Sequence, residues 1–337
     1  MSEATVSAGY AKALLDFAVS CGADEAQLLR RADIGGEILG DQDNRLPFAR
    51  YVALMRAAKD ESGDPALALR FGAASDFRKF SVVGLISHAS ANMVEALMQL
   101  NRYGRLVVEV ECAGDGPRFQ LSERNGERWM YDCRLNPNDF PELTESTWSR
   151  FICWTRRDFP DVTFALEATV THAEPEYRAV YDELWQVPIT FSAERNGIRG
   201  NPAWMHVQIQ PESRYVFGVL TERGDALLEE LEASKTLRGR IESMLMPLLH
   251  TGDVSIDAIA AKLGVSRQTL YRNLKGEDVT FEQVLDGLRQ KMALDYLRGK
   301  RVSVNETAYL VGFSDPASFS RAFKRWTGKS PREMRGV

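Results

Sequence analysis

Apolar residues recur along this chain with two spacings, and the change between them divides it. Over residues 1–100 the spacing is helical. Leu14, Leu15, Phe17 and Ala18 mark a helix over Ala8 to Cys21. Asp24 offers a cap to a second, Glu25 to Ala32, which Ile34-Gly35-Gly36 ends. Pro47 suits the first turn of a helix reaching about Ser62. Gly63-Asp64-Pro65 makes a turn, and Pro65 to Gly72 a short helix. After Val83-Gly84-Leu85 and a polar break, Ala96, Leu97, Leu100 and Tyr103 set a helix over Met93 to Val107. The period then drops to two. Leu106 to Cys112, Pro117 to Ser122 and Glu127 to Arg134 read as strands around the turns Gly114-Asp115-Gly116 and Asn125-Gly126. Short loops between adjacent strands predict an antiparallel sheet. Helical spacing returns over Leu143 to Arg157, with Trp148, Phe151 and Trp154. Thr163 to His172 is a further strand, Glu176 to Trp185 a helix, and Ile189 to Ala193 and Ile198-Arg199 short strands. The first 220 residues therefore read as an α+β domain.

From Thr221 to His250 one or two helices follow. Leu227, Leu228, Leu231, Leu237, Ile241, Leu245 and Leu248 lie on an apolar stripe. Residues 221–235 fit a linker helix, and Leu227 to Leu231 suit either a seam between two copies or internal packing. Leu237 onward suits the first helix of an all-α domain over 236–337. That domain holds two helix-turn-helix patterns joined by a helix. The first spans about 255–275. Ile256, Ile259, Ala260 and Leu263 form the inner face of its supporting helix, which Ser255 or Asp257 caps. Gly264 permits the left-handed turn, and Ser266 caps a recognition helix from Arg267 to Lys275. The second spans about 303–327. Thr307, Ala308 and Val311 support it, Gly312 makes the turn, and Ser314 or Asp315 caps Pro316 to Trp326. Phe281 to Arg298 is the connecting helix, apolar at Val284, Leu285, Leu288, Met292, Leu294 and Leu297.

In each recognition helix the core positions separate from those left for a ligand. Val265, Leu270 and Leu274 point inward, leaving Arg267, Gln268, Thr269, Tyr271 and Arg272. In the second, Phe313, Phe319, Phe323 and Trp326 share the core face, leaving Ala317, Ser318 and Arg321, with Lys324 and Arg325 flanking. Gln268 and Arg272 are residue types that make bidentate base contacts in a major groove. Lys324 and Arg325 suit phosphates, and Arg267 suits either. Two recognition helices at a fixed spacing fit successive major-groove segments about one helical turn, roughly 34 Å, apart. Double-stranded DNA is the predicted partner.

Charge agrees. The chain carries −5 overall, yet residues 236–337 hold 17 Lys and Arg against 11 Asp and Glu, so the acidic balance lies in the first 235 residues. A basic end behind an acidic body suits phosphate binding at that end. No run of apolar residues is long enough to cross a membrane, and Met1 to Asp16 lacks the pattern of a secretory signal. A cytoplasmic location and no membrane partner are expected. Cys21, Cys112, Cys133 and Cys153 form no C-x-x-C pair, and His88, His172, His206 and His250 show no ligand spacing. No metal and no cofactor are predicted.

The stretch Gly312-Phe313-Ser314-Asp315, Ser318-Phe319-Ser320-Arg321-Ala322-Phe323-Lys324-Arg325-Trp326 and Gly328-Lys329-Ser330-Pro331 closely resembles the AraC/XylS family of transcription regulators. Arg289, Ala293 and Leu297 resemble its connecting helix. The resemblance covers about 100 residues and implies a seven-helix DNA-binding domain. Leu46-Pro47, Gly63-Asp64-Pro65-Ala66-Leu67, Leu69-Arg70-Phe71-Gly72, Gly84-Leu85 and Glu95-Ala96-Leu97 resemble the ornithine-utilisation-regulator type, whose N-terminal domain is called arabinose-binding. Where such chains carry a further Gly and an aromatic after the Gly-Leu step, this one has Ile86-Ser87-His88. The leading expectation is a regulator whose first 220 residues bind a small-molecule effector, altering contact with promoter DNA or RNA polymerase, with a homodimer as one arrangement. An amino acid, a fatty acid or another small metabolite are candidate effectors.

Two other classes remain open at this level. A redox- or metal-responsive regulator would use the cysteines, Cys112 and Cys133 approaching if their strands pair. An enzyme fused to a DNA reader needs a nucleophile: Cys133-Arg134 lacks the flanking Pro and His of a DNA-repair alkyltransfer site, and no G-x-S-x-G or Walker A motif is present. Trp129, Trp148, Trp154, Trp185 and Trp204 are candidates to line an effector pocket.

Overall fold

The computed structural model describes residues 3–335 apart from 115, 125, 210–213, 252–253 and 300–301. The chain divides into two compact units, Met1–Leu228 and Glu229–Val337. Unit 1 contains, in chain order, β1 (Thr5–Ser7), α1 (Ala8–Ser20), α2 (Glu25–Ala32), β2 (Arg45–Pro47), α3 (Phe48–Ser62), α4 (Leu67–Ala74), α5 (Val82–His88), α6 (Met93–Tyr103), β3 (Phe119–Arg124), β4 (Glu127–Asp132), α7 (Pro141–Asp158), β5 (Ala165–Thr169), α8 (Arg178–Trp185), β6 (Ile189–Thr190) and β7 (Gly197–Gly200). Helix α9 (Arg214–Lys235) starts in unit 1 and runs past the boundary.

Local chemistry accounts for the helix starts. Ser7, Asp24 and Asn92 accept the backbone N–H of Tyr10, Gln27 and Glu95, removing free amides at the first turns of α1, α2 and α6. Strands β1 and β2 pair antiparallel, Val6 opposite Leu46. The main sheet has five strands in the order β3-β4-β7-β5-β6. Its core joins Phe119, Met130, Ala168 and Ile198 of the strands to Trp148 and Ile152 of α7 and Tyr181 and Trp185 of α8. Trp148 and Trp185 are fully buried. At about 150–250 Å² each, such side chains dominate burial in the core. Trp185 also donates Nε1–H to Ser149 Oγ at 2.7 Å.

Unit 1 is the expected α+β domain, with several local differences. Leu106 to Cys112 is not a strand of the sheet. A short 3-10 turn occupies Gly104–Leu106, and the next residues pair onto the N-terminal strand through an isolated Val6–Val108 bridge. Leu106, Val107 and Val108 are buried in succession, so the alternating pattern is not resolved into two faces. The sheet is mixed, because β5 and β6 run parallel with α8 between them, a crossover connection. Pro47 ends β2 and stands just before α3 instead of inside its first turn. The short helix expected from Pro65 starts at Leu67, and the strand expected over Ile189 to Ala193 is only Ile189–Thr190. Val83-Gly84-Leu85, to which the pattern gives no element, lies in helix α5 (Val82–His88), its first turn capped by Ser81. Asp115 and Asn125 of the two expected turns lie outside the described residues.

The early part of α9 is tied down inside unit 1. Asp225 accepts from Tyr103 Oη at 2.6 Å and Arg102 Nη2 at 2.8 Å, and Arg223 pairs with Asp43 at 2.7 Å. The helix expected from Thr221 thus begins at Arg214.

Candidate nucleic-acid interface

Seven α-helices lie wholly within unit 2 among the described residues: α10 (Leu237–Leu245), α11 (Ile256–Lys262), α12 (Arg267–Gly276), α13 (Phe281–Gly299), α14 (Val304–Leu310), α15 (Pro316–Thr327) and α16 (Pro331–Arg335). They form two small cores. In the first, Ile241, Leu245 and Leu249 meet Ile259, Leu270, Leu274, Val284 and Leu288. In the second, Ala293 and Leu297 from the far end of α13 meet Ala308, Val311, Phe319 and Phe323. Helix α13 therefore contributes to both.

The first helix-turn-helix is α11 and α12. Ser255, of the two candidate caps, takes the Ala258 amide at 3.2 Å. Gly264 turns the chain with φ of +68°, and Val265 N–H returns to the Ala260 carbonyl at 3.0 Å. Ser266 then accepts the Thr269 amide at 3.1 Å and starts α12. Leu270 and Leu274 are buried, and Val265 packs partly against the same core. Arg267, Gln268, Tyr271 and Arg272 are exposed, and Thr269 is half-buried. Arg267 pairs with Asp257 of α11 at 3.3 Å.

The second unit, α14 and α15, repeats the plan with firmer anchoring. Ser303 and Glu306 form a reciprocal capping box at the start of α14. The Ser303 amide and hydroxyl hold the Glu306 carboxyl below its ordinary value. Gly312 has φ of +82°. Asp315, of the two candidate caps, accepts the Ser318 amide at 2.8 Å, and Pro316 opens α15. Phe319 and Phe323 are fully buried, with Phe313 and Trp326 packed partly against them. Ala317, Arg321, Lys324 and Arg325 are exposed, and Ser318 is half-buried. Arg321 Nη2 donates to Ser318 Oγ at 2.9 Å.

Two charged residues of α13 do work that periodicity does not signal. Arg289 Nε donates to the Val311 carbonyl at 3.1 Å and Nη2 to the Gly312 carbonyl at 3.3 Å. Its guanidinium lies 4.9 Å from the Phe313 ring centre. Asp286 accepts Trp326 Nε1–H at 3.1 Å and Arg325 Nη2 at 2.9 Å. Together they fasten the turn and the end of α15 to the connecting helix. Arg325, expected to meet a phosphate, is thus held by Asp286.

Unit 1 holds the other candidate site, a cavity of about 80 Å³ walled by α5, α6 and α7. Its lining is mostly apolar, with Trp154 and Trp204 among the residues on it. Trp148 and Trp185 are instead fully buried, and Trp129 stacks on Tyr131 at 5.8 Å. The four cysteines are free thiols. Ala113 N–H bonds the Cys133 carbonyl at 2.9 Å, so the two segments do meet. Burial raises the Cys112 and Cys153 thiols, however, which disfavours the thiolate that redox chemistry needs. Among the described residues no cluster of His, Cys, Asp and Glu suits a metal ion, and no helix is long and apolar enough to cross a membrane.

Two helix-turn-helix units mounted on one connecting helix, following a separate α+β unit in the chain, define a DNA-binding transcription regulator. The chain belongs to the AraC family of transcription regulators: residues 22–209 match the family's arabinose-binding N-terminal domain and residues 259–336 its helix-turn-helix domain. It is 27% identical over 337 residues to the ornithine utilization regulator of Pseudomonas aeruginosa, covering 98% of this chain and 96% of that one. It is 25% identical over 329 residues to the HTH-type transcriptional regulator VirS of Mycobacterium tuberculosis, covering 93% and 91%. Among solved structures, the transcriptional regulator CdpR of Pseudomonas aeruginosa aligns over 93% of this chain and 96% of its own, at 21% identity and a TM-score of 0.43. Both full-length relatives are regulators by name.

Proposed function

We propose that this regulator reads two adjacent major-groove segments with α12 and α15, under the control of a small-molecule effector bound by unit 1. The observation that carries the reading is the pair of recognition helices whose cores are joined by α13. Its 19 residues, at 1.5 Å each, span roughly 28 Å, comparable to one turn of DNA. Gln268, Arg272 and Arg321 are the side chains assigned to base edges, with Thr269, Tyr271, Ala317 and Ser318 completing the groove face. Lys324 is assigned to a phosphate and Arg267 to a phosphate or a base; Arg267 must first leave Asp257, and Arg325 must leave Asp286 to join them. Contact with RNA polymerase and pairing of two copies belong to the same proposal, as does division of the chain into 1–220, a linker helix over 221–235 and 236–337. An effector shifts DNA affinity only as far as it binds the two states unequally.

The test uses duplexes selected by the protein itself from a random pool, with binding followed by fluorescence anisotropy. Arg272→Ala and Arg321→Ala should each weaken binding by about 1–3 kcal/mol and relax preference at their own positions. Lys324→Ala should weaken all sequences alike and flatten the salt dependence. Unchanged affinity and sequence preference in both arginine variants would refute the assignment of α12 and α15 to the groove.

A further inference from the structure

The cavity in unit 1 carries more chemistry than its apolar lining suggests. Arg150 of α7 lines it with only 7% of its surface exposed. Its Nη2 donates to the Tyr10 hydroxyl at 3.0 Å, and its Nε–H has no partner. The guanidinium lies between aromatic rings, 5.0 Å from the centre of Tyr10 and 5.3 Å from that of Phe77. No carboxylate pairs with it among the described residues, because the neighbouring acids are engaged elsewhere. Asp76, on the cavity wall, is held by Arg78 at 2.8 Å. Asp158 pairs with Arg157 and Arg78, and Glu142 with Lys59.

Two more buried polar atoms on the same wall lack partners, Ser87 Oγ and Trp204 Nε1. Trp Nε1 and Arg Nε only donate, and a serine hydroxyl can donate. Buried polar groups are ordinarily hydrogen-bonded and buried charges paired. Three unpartnered donors, one of them on a cation, facing one apolar cavity describe the complement of a ligand. The rest of the wall is Met93, Leu97 and Leu100 of α6 with Phe151 and Trp154 of α7.

We propose that the effector of this regulator is an organic acid with an apolar body, its carboxylate seated on Arg150 and its chain or ring against α6 and α7. This rests on the effector-controlled reading above and adds the chemical class. Free amino acids fit poorly, since their ammonium group would face a cation and donor hydrogens. The site is linked to α9 through α6. Helix α6 forms one wall, and Arg102 and Tyr103 at its end hold Asp225.

The test uses the full chain and three acids, octanoate, decanoate and hydrocinnamate, each beside its methyl ester, with binding read from tryptophan fluorescence and calorimetry. At least one acid should bind saturably and its ester about tenfold or more weakly, the usual weight of a charge-assisted bond. Arg150→Gln should abolish that preference and Arg150→Lys retain part of it. Ser87→Ala and Trp204→Phe remove atoms with no protein partner, so melting should hold while acid binding weakens. The proposal is overturned if no acid saturates, if acid and ester bind the wild type alike, or if Arg150→Gln keeps the preference. Anisotropy on the selected DNA separates the two readings. Arg150-dependent acid binding that leaves DNA affinity unaltered sinks effector control and leaves the ligand class standing.

Discussion

Gly312→Ala should cost unit 2 about 3–5 kcal/mol and abolish DNA binding, whereas Gly264→Ala should cost about 1 kcal/mol and leave binding nearly intact. Both glycines make the turn of a helix-turn-helix, and both have positive φ, +82° and +68°. Any other residue pays the left-handed penalty at either position. What differs is the surroundings. A β-carbon on Gly264 would find nothing within 4 Å. One on Gly312 would collide with the Leu249 carbonyl oxygen, a backbone atom that no rotamer change can move. Leu249 belongs to the first core and Gly312 to the second turn. The collision would push the two halves of unit 2 apart and strain the Arg289 bonds to Val311 and Gly312. Urea unfolding followed by circular dichroism, with anisotropy on the selected DNA, checks both variants. Equal small losses at the two positions would show that the tight approach at Gly312 is not required.

That asymmetry also marks how far the sequence could be read. Helix-turn-helix geometry is written locally. Ser266 and Asp315 stand one residue before their helices, and Leu270, Leu274, Phe319 and Phe323 follow at helical spacing. Caps and period act within a few residues, so α12 and α15 are legible to within a residue or two. Leu249 against Gly312, and Arg289 or Asp286 against the second unit, are pairings across 22 to 63 positions for which no local pattern exists. In unit 1 periodicity misleads where burial is two-sided. Helix α7 carries Glu142, Thr144, Glu145, Ser146, Ser149 and Arg150, all buried. A helix with that many polar residues reads as having a solvent face, and Arg150 as part of it. Its environment comes instead from Tyr10, Phe77 and the cavity, which the fold brings together from distant parts of the chain. Likewise Leu106 to Cys112 alternates like a strand, but its middle bridges β1 at Val108 and its end bridges Arg134, just past β4. The alternation reports that a segment is half-apolar, not which partner it meets.

Asp132→Ala should be the most damaging single change in unit 1. The carboxylate ends β4 with 1% of its side chain exposed. It takes a two-pronged bond from Arg118, Nε to Oδ1 at 3.0 Å and Nη2 to Oδ2 at 2.7 Å, and accepts the Arg134 amide at 3.2 Å. Arg118 is itself mostly buried, and Arg134 spends its guanidinium on the Pro137 and Phe140 carbonyls and Thr144. Removing Asp132 therefore leaves Arg118 without its counter-ion inside the protein. Breaking one side of a buried pair costs about 3–5 kcal/mol, whereas Asp16→Ala, which breaks the exposed pair with Lys12, should cost under about 1 kcal/mol. The pH dependence gives a second readout. Burial pushes the Asp132 carboxyl up, but the charge and hydrogen bonds of Arg118, with Arg134, more than offset it and hold the group below its ordinary value. A carboxyl depressed in the folded state stabilises the fold fully above the unfolded value, about 3.9. The contribution is lost as pH falls from there through the lower folded value. Wild-type stability should thus fall more steeply on acidification below about pH 4 than that of Asp132→Ala, and the two melting curves should converge. A gap between them that stays constant down to the acid limit would show that Asp132 acts through shape and not through its charge.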